Sequence, residues 1–576
     1  TIKIIPALYP LVSISSSIIG KININNQLKL IGTIFSNSNL NSKYIWSISD
    51  TSINLSKISL TNINKTFIKS EYETNITLTN YLLLSRNVLP IRTTLIFTLT
   101  CILTSNIYSS SSILIITNGP PIPGILDIKP NEGMAMNTSF LFSTYSWYDE
   151  DLPLQYEFSF LDYSNNINMT LKSKSELSYS LSILPSGLEI NNYNIICNVR
   201  VFDNYDSDSI INNKIIVKPL IINTFDLTNL ILLQLNSSNG KSDITNQIIS
   251  TASILLNKVN CTNNQYNCTL LNRYECNKIS YTCGKCKIGY IGIESDSNTL
   301  CKSILDISSI NINNNGTCNT NNECDIFSKC DININQCIKL SKECQNNCSY
   351  HGNCNYINIK TNNILNDCKL DDNTCISECN CNNEYSSSDC SILKTELIEK
   401  QNLRFELLNN LQNIIKTDNP SSTSISSWSN SLSIMTQNID EINNNAINII
   451  GDISSNILLN LNLNSNNNEN NININSNDLN GVINGLDTIS QINNKNNLNN
   501  LRRRLTSEND NNIENKISTN EMSQLLLSYS NIVSSEMVPG QISNELIKSS
   551  FKLSSEINEI DNNNNNNNEI RLKIPK

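Results

Sequence analysis

FLFSTYSWYDEDLPLQYEFSF, residues 140–160, is the stretch of sequence that decides the fold. Its first apolar run ends at Trp147, and an acidic turn follows. After that turn, Leu154, Tyr156 and Phe158 alternate with polar residues. A period of two is typical of a half-buried β-strand, so this stretch predicts two strands joined by an acidic turn.

The sequence on either side extends this pattern over two domains. Residues 118–218 open with NGPPIPGILDIKPNEGMAM, a linker rich in proline and glycine, and end with the strand and acidic turn of YNIICNVRVFDNYDSDS. Residues 1–117 contain short β-branched runs separated by Asn and Ser, with Trp46 as the expected core residue. This spacing predicts two tandem immunoglobulin-like β-sandwiches, 1–117 and 118–218, in a mainly β, multidomain chain.

A family resemblance rests on several of these fragments together. The succession NGPP, IKPNEGMA, SWYDEDLPLQYEF, LPSGL and VRVFDNYDSDS resembles the REJ (receptor for egg jelly) module of the polycystin family, which is related to PKD-type immunoglobulin-like domains. The resemblance covers 118–218, and YIWSISD (44–50) makes 1–117 similar to a more diverged module of the same kind. It implies the ectodomain of a large multipass membrane protein.

Cysteines mark the middle of the chain. Eighteen of the twenty lie between Cys261 and Cys390 at short spacings, which indicates disulfides formed in an oxidising, extracellular compartment. We expect Cys101 and Cys197, one in each sandwich, to be buried free thiols. The CxxC of Cys283 and Cys286 could bind zinc or act in redox chemistry, but without a second matching pair disulfides explain it better.

Three cysteine-rich units are expected: an irregular EGF-like unit at 259–302, a small unit at 303–340 and an EGF-like repeat at 341–392. CSYHGNC and CNCNNEYSSSDC carry the resemblance of the third unit to an EGF repeat. The resemblance implies the pairs Cys344–Cys354, Cys348–Cys379 and Cys381–Cys390, with Cys368–Cys375 closing an inserted loop. The spacing by itself leaves other connectivities open.

Helical periodicity replaces the period of two around the end of the cysteines. Residues 219–258 are predicted to be a linker with one helix, and 393–576 a helical region. MVPGQISNELIKSSF (537–551) resembles the helical first half of a GAIN domain. The Asn-dominated tract 462–515 has few apolar residues for its length, and we expect it to be a disordered insert.

Two polar features are candidate functional sites. The acidic turns containing Asp149, Asp151, Asp203 and Asp206 could supply oxygen ligands to a calcium ion, or could be solvated turn residues. No other cofactor is expected. LRRRL, with Arg502, Arg503 and Arg504, could be a protease processing site or an idle charged spot.

Charge and composition restrict the range of possible functions and partners. The net charge of −10 argues against a nucleic-acid partner, which would need clustered cations. His351 is the only histidine, and its place in an EGF-type turn favours a structural role over catalysis. No run approaches the roughly 20 apolar residues of a membrane helix, so we expect any membrane anchor to lie outside these residues. We expect the sequence to be an internal fragment or a processed product of a longer protein.

The sequence therefore favours a non-catalytic extracellular region of a polycystin-like receptor or channel subunit, with an adhesive or mechanosensing role. Its partners would be an extracellular protein or glycan, or neighbouring modules of the same protein. Ten sequons make it a candidate glycoprotein, although chance explains that number in so Asn-rich a chain. The alternative is a soluble matrix or flagellar-hair protein built from the same modules.

Overall fold

The computed structural model describes residues 9–16, 20–36, 42–67, 76–104, 107–259, 261, 267–276, 282–292, 296–303, 317–320, 324, 327–361, 363–466, 476–505, 519–535, 537–538, 541, 544–555 and 571–573. Within these ranges the chain forms two β-sandwiches, a disulfide-rich segment and a helical region, as predicted.

The first sandwich contains eight strands and one short helix. They are β1 Leu11–Ser15, β2 Lys21–Ile22, β3 Leu28–Ser36, β4 Ser42–Ile48, α1 Leu55–Ile58, β5 Asn64–Phe67, β6 Ile76–Leu84, β7 Thr94–Thr104 and β8 Ile107–Thr117. The strands form a three-stranded sheet, β1-β3-β6, and a five-stranded sheet, β2-β8-β7-β4-β5, in which β2 runs parallel to β8.

The second sandwich repeats this topology strand for strand. Its strands are β9 Ile125–Lys129, β10 Glu132–Met134, β11 Phe140–Tyr145, β12 Gln155–Asp162, β13 Ile167–Ser175, β14 Tyr179–Ser182, β15 Asn194–Phe202 and β16 Asp208–Lys218. The sheets are β14-β11-β9 and β10-β16-β15-β12-β13, and again the short second strand runs parallel to the last. The two units are therefore a structural repeat.

Alternation along the strands builds each core. Trp46 is 1% exposed and donates a hydrogen bond from its indole nitrogen to Asn80 Oδ1 at 2.8 Å. Gly32 makes room for that contact, because a Cβ there would lie 2.9 Å from the Trp46 ring. In the second sandwich Phe158 is fully buried, and Leu154 and Tyr156 pack partly buried against the same core. Cys101 and Cys197 are buried free thiols, as expected.

The cysteine-rich segment contains short strands and nine disulfides. The strands are β17 Tyr290–Ile291, β18 Lys302–Ser303, β19 Ser328–Asp331, β20 Gln336–Lys339, β21 Gly352–Asn358, β22 Ile364–Leu365, β23 Cys375–Cys381, β24 Tyr385–Ser386 and β25 Ile392–Leu393. The disulfides of the first two units are Cys261–Cys276, Cys268–Cys283, Cys286–Cys301, Cys318–Cys330 and Cys324–Cys337.

The third unit has the pairs that the EGF resemblance implies. They are Cys344–Cys354, Cys348–Cys379, Cys368–Cys375 and Cys381–Cys390. His351 stacks on the Tyr385 ring with centroids 3.8 Å apart, which is a packing contact within the unit.

The helical region is built from helices on both sides of the cysteines. They are α2 Thr224–Ser237, α3 Ser242–Leu256, α4 Lys394–Thr417, α5 Ser422–Met435, α6 Asn444–Asn466, α7 Asn480–Leu505 and α8 Thr519–Ser535. A small sheet of β26 Asn544–Ile547, β27 Lys552–Ser555 and β28 Arg571–Lys573 follows them.

The prediction of a linker at 219–258 is wrong. Ile248, Ala252 and Leu256 of α3 are buried in one apolar core with Leu407 and Leu411 of α4, so α2 and α3 belong to the helical bundle. The helices against which α2 and α3 pack follow the cysteine-rich segment in the sequence. Local sequence patterns do not identify so distant a partner.

The prediction of disorder across 462–515 is also wrong for much of that range. Helix α7 buries Val482, Ile483, Leu486 and Ile489, which recur at intervals of three and four, against the bundle. Gly481 permits the close approach, because a Cβ there would lie 1.7 Å from the Ser429 carbonyl oxygen of α5. The average composition of 462–515 hid this stripe, because Asn dominates the residues on either side of it, at 462–480 and 493–500.

One buried charge centre ties the bundle together. Arg404 of α4 is completely buried, as is its partner Glu441 at 1% exposure, and the closest nitrogen and oxygen are 2.5 Å apart. The guanidinium also donates to the Met435 carbonyl oxygen at 2.9 Å and to Asn257 Oδ1 at 2.6 Å. Asn257 lies directly after α3, so the centre joins segments from both sides of the cysteines.

Replacing Arg404 by Met is expected to destabilise the bundle by about 3–5 kcal/mol, because Glu441 would remain buried with only the more distant Lys400, at 3.8 Å, as a charge partner. Chemical denaturation followed by helical circular dichroism measures this. The exposed pair of Lys552 and Glu545 offers the control, since Lys552→Ala should cost about 1 kcal/mol or less. Equal losses of stability from the two substitutions would contradict a stabilising role of the buried Arg404–Glu441 pair in the bundle.

Candidate functional site

The acidic turns of the second sandwich meet at its contact with the first sandwich. Asp149 and Asp151 follow β11, and Asp203 follows β15, so the sheet topology places both turns at the same end of the domain. One carboxylate oxygen from each of the three lies within 4.8 Å of the others. Asp149 and Asp203 are buried, whereas Asp151 is half-buried.

Asp206 does not join this cluster, contrary to the sequence expectation. Its side chain is 68% exposed and forms an ion pair with Lys174 of β13. The cause is the tight turn after β15, in which Asp206 adopts a positive φ of 65°. The turn therefore directs Asp203 and Asp206 to different surroundings.

Two cations from the first sandwich pair with two of the three carboxylates in the cluster. Lys21 Nζ, at the start of β2, lies 2.6 Å from Asp151 Oδ2. Arg92, in the turn before β7, donates from Nη2 to Asp149 Oδ2 at 3.1 Å and to the Pro120 carbonyl oxygen at 2.7 Å. The hydrogen bond to Asp151 is the main cause that raises the pKa of Lys21.

Asparagines complete the joint between the two sandwiches. Asn118, in the linker between them, donates from Nδ2 to Asp203 Oδ2 at 2.6 Å and to Asn23 Oδ1 at 2.9 Å. Asn25 donates to Asp208 Oδ1 at 3.2 Å. Burial raises the pKa of Asp203, and the hydrogen bond from Asn118 acts in the opposite direction.

Most of the carboxylate oxygens in the cluster already have protein partners. Asp149 Oδ1 accepts from the Asp151 backbone at 2.8 Å, and Asp203 Oδ1 accepts from the backbones of Tyr205 and Ser207 at 2.8 and 2.9 Å. Calcium takes about six to eight oxygen ligands. Lys21 and Arg92 already pair with Asp151 and Asp149, and Asn118 is bonded to Asp203, so the three carboxylates fit an ionic joint between domains better than a calcium cage. The calcium hypothesis stays a prediction.

A second charged cluster lies on the outer face of the five-stranded sheet of the second sandwich. Glu157 of β12 is directly opposite Arg200 of β15, and Arg200 Nε donates to Asp208 Oδ2 at 2.7 Å. Lys174 of β13 and Asp478, just before α7, also act on Glu157 electrostatically. The cluster therefore marks the junction between this sandwich and the helical bundle.

Glu157 is the member of this cluster whose buried carboxylate lacks a hydrogen-bond partner at one oxygen. Its Oε2 atom is buried and has no hydrogen-bond partner, since Arg200 is bonded to Asp208. Burial raises the pKa of Glu157 to about 7. The carboxyl therefore changes its charge near neutral pH.

Further contacts fix the second sandwich on the bundle. Asn430 of α5 donates to the Asn168 carbonyl oxygen at 3.2 Å, and Gln234 of α2 donates to the Met136 carbonyl oxygen at 3.0 Å. Asp243 of α3 accepts from the Ser173 backbone at 3.2 Å. The bundle, the joint and the sandwich thus form a continuous set of contacts.

The predicted processing site lies at the end of α7. The backbone of Arg502, Arg503 and Arg504 is helical, and their side chains lie outside the described part of the structure. Sequence reasoning missed Lys21, Arg92, Glu157 and the Arg404 centre. Nothing in the local sequence distinguishes them, because the partners of each lie far away along the chain.

A known domain family matches the part of the chain that contains both sandwiches, their joint, α2 and most of α3. Residues 1–253 match the REJ domain family. The match begins in the first sandwich and ends within α3, so the REJ region includes the first part of the helical bundle. Together with the disulfides it points to an extracellular region.

Other comparisons are weaker. No curated protein matches the chain. Murine CEACAM1b is similar at 14% identity and TM-score 0.17, covering 36% of this chain and 100% of that one. Amphioxus IgVJ-C2 is similar at 9% identity and TM-score 0.12, covering 32% of this chain and 96% of that one. Escherichia coli alpha-2-macroglobulin is similar at 9% identity and TM-score 0.17, covering 96% of this chain and 38% of that one. Likenesses at these scores carry no argument about function.

Replacing Lys21 and Arg92 together by Ala should loosen the joint, because Asp149, whose side chain is 2% exposed, loses its cation. The Asn118 backbone amide, bonded to the Ile22 carbonyl oxygen at 2.7 Å, reports on this. Its hydrogen exchange should become about tenfold faster. Lys129→Ala is the control, since Lys129 pairs with Asp127 in exposed positions within one sandwich. Calcium should leave the exchange of the unsubstituted protein unchanged; slower exchange in calcium would support the calcium hypothesis instead.

Replacing Glu157 by Gln should stabilise the junction only at higher pH. The pKa is about 7 in the folded protein against 4.5 for an ordinary glutamate, so the folded state binds more protons between these values. Stability therefore falls as pH rises from about 4.5 to 7, and Gln removes this loss. Urea unfolding at pH 8, followed by hydrogen exchange in β12 and β15, should show a gain of about 3 kcal/mol that vanishes near pH 4.5. Exposed Glu189→Gln should show no such change; a gain independent of pH would exclude titration of Glu157 as the cause.

Proposed function

We propose that this protein is an extracellular region of a polycystin-like membrane receptor or channel subunit, with an adhesive or mechanosensing role and no catalytic activity of its own. The observation that carries the proposal is the REJ match over residues 1–253. Its continuation into a segment with nine disulfides supports the extracellular placement.

The architecture suits a role in binding and spacing. Two sandwiches with the same topology meet at an ionic joint, and the second is bonded to a helical bundle. Such contacts restrict the angles between units, so a ligand bound at one unit can transmit displacement to the next. The partner we propose is an extracellular protein or glycan, or neighbouring modules of the same protein, rather than nucleic acid.

Attachment to a membrane is part of the proposal. Among the described helices, none has both the length and the apolar character required to cross a bilayer. In this proposal the attachment lies in segments outside these residues. The second candidate, favoured by the disulfide-rich segment, is a soluble matrix or flagellar-hair protein with the same modules.

The experiment uses the natural full-length protein in the cells that produce it. An antibody against the second sandwich should label intact, unpermeabilised cells, and the antigen should stay with membranes after an alkaline carbonate wash. Release into the wash or medium, with surface labelling retained, would favour the matrix protein. Labelling only after permeabilisation would contradict both candidates, and an antibody against a cytosolic protein controls for leakage.

A further inference from the structure

The cysteine-rich segment begins and ends on two helices that pack against each other in the helical bundle. Helix α3 ends at Leu256 and α4 begins at Lys394, so residues 258–393, here called the arm, connect two helices that pack together. Arg404 Nη2 donates to Asn257 Oδ1 at 2.6 Å across 147 positions of sequence. The chain thus leaves the bundle directly after Asn257 and returns to it at the start of α4, the helix whose Arg404 is bonded to Asn257.

We propose that the arm is a side branch through which tension along the chain does not pass. Pulling on the second sandwich loads α2 and α3, which transmit the force directly to α4 through their shared core. The arm runs in parallel with that contact and is much longer. It stays slack as long as the contact holds, so its disulfides do not set the length of the stretched protein.

The contact that bypasses the arm is extensive. Its apolar part places Ile248, Ala252 and Leu256 in one core with Leu407 and Leu411. Its polar part includes three bonds from α2 and α3 to α4 and its neighbours: Thr224 Oγ1 to Glu396 Oε1 at 3.1 Å, Ser242 Oγ to Asp418 Oδ2 at 3.0 Å, and Asn246 Nδ2 to Ser427 Oγ at 2.9 Å.

Asn257 is the link closest to the root of the arm. Besides accepting from Arg404, its side chain donates to the Ile434 carbonyl oxygen at 2.8 Å and to Gln437 Oε1 at 3.0 Å. Force that separates α3 from α4 must break these bonds before it reaches Lys258. The far end of the arm is also fixed, since the Ser388 backbone donates to Asp440 Oδ2 at 2.7 Å.

The inference concerns how the chain carries force and does not depend on where the protein acts. A negative result in the cell-surface experiment would leave it standing, and its own failure would leave the proposed location untouched. It places the cysteine-rich units beside the path of the force that runs from the sandwiches to the helices, and not within that path.

Single-molecule force spectroscopy on the full chain tests the proposal. One handle is placed at the N-terminus and an azide handle at exposed Asn419, in the turn after α4, so that both routes lie between the handles. Traces are recorded with the disulfides intact and after reduction. The fully extended arm spans about 450 Å at about 3.4 Å per residue.

Reduction should leave the trace unchanged up to the first rupture, because a slack arm adds no length. The step in which α3 separates from α4 should then become longer by up to about 450 Å, since the arm is no longer held by disulfides. A reduced chain that lengthens by this amount at low force, before any rupture, would overturn the proposal.

The Asn257→Ala variant tests the link itself with the disulfides intact. Loss of its hydrogen bonds should make the rupture of α3 from α4 about fivefold to tenfold faster at a fixed force. Asn410→Ala is the matched control, because Asn410 of α4 donates only to the Glu406 carbonyl oxygen of the same helix at 2.8 Å. Equal rupture rates for the two variants would refute the role given to Asn257.

Discussion

Arg404 lies fully buried in α4, where its guanidinium is bonded to Glu441, to the backbone of Met435 and to Asn257. A buried charge is tolerated only when it is paired and its donors are satisfied. The requirement is met by Asn257 after α3 and by Met435 and Glu441 at and beyond the end of α5, and the position of α3 against α4 follows from it. That position determines how the helices of the bundle pack. It also determines where the chain re-enters the bundle after the cysteine-rich segment and where the second sandwich contacts it.

The two sandwiches show how one topology can be used twice with different surroundings. Each has a three-stranded sheet facing a five-stranded sheet, and each closes the larger sheet with a short parallel pair. Yet the first sandwich presents Lys21 and Arg92 at the joint, while the second presents Asp149 and Asp151. Opposite charges on the two surfaces that face each other make the joint specific for this order of domains.

The boundary of the REJ match does not coincide with the boundary of a folded unit. The family region ends inside α3, whereas the apolar core to which α3 belongs continues through helices that follow the cysteines. A fragment ending at residue 253 would expose Ile248, Ile249 and Ala252 to solvent. The segment before the cysteines and the helices after them are thus one folding unit, interrupted by a disulfide-stapled insertion. This unit places the charged cluster around Glu157 between rigid bodies, where a change of protonation affects their contact.

Sequence by itself determined the features that depend on neighbouring residues. Alternation around Trp46 and Phe158 predicted the sandwiches, the crowding of cysteines predicted the disulfides, and helical periodicity after the cysteines predicted the helical region that begins with α4. The resemblance to an EGF repeat implied the pairing found in the third cysteine-rich unit.

Only the tertiary structure decided which distant groups meet. It placed Lys21 on Asp151, separated Asp206 from Asp203, and ordered Asn480–Leu505 by packing its sparse apolar stripe against the bundle. It also turned the expected linker at 219–258 into part of that bundle. Periodicity records which face of an element is apolar, whereas the partner of that face, and of each charge, depends on how the whole chain returns on itself.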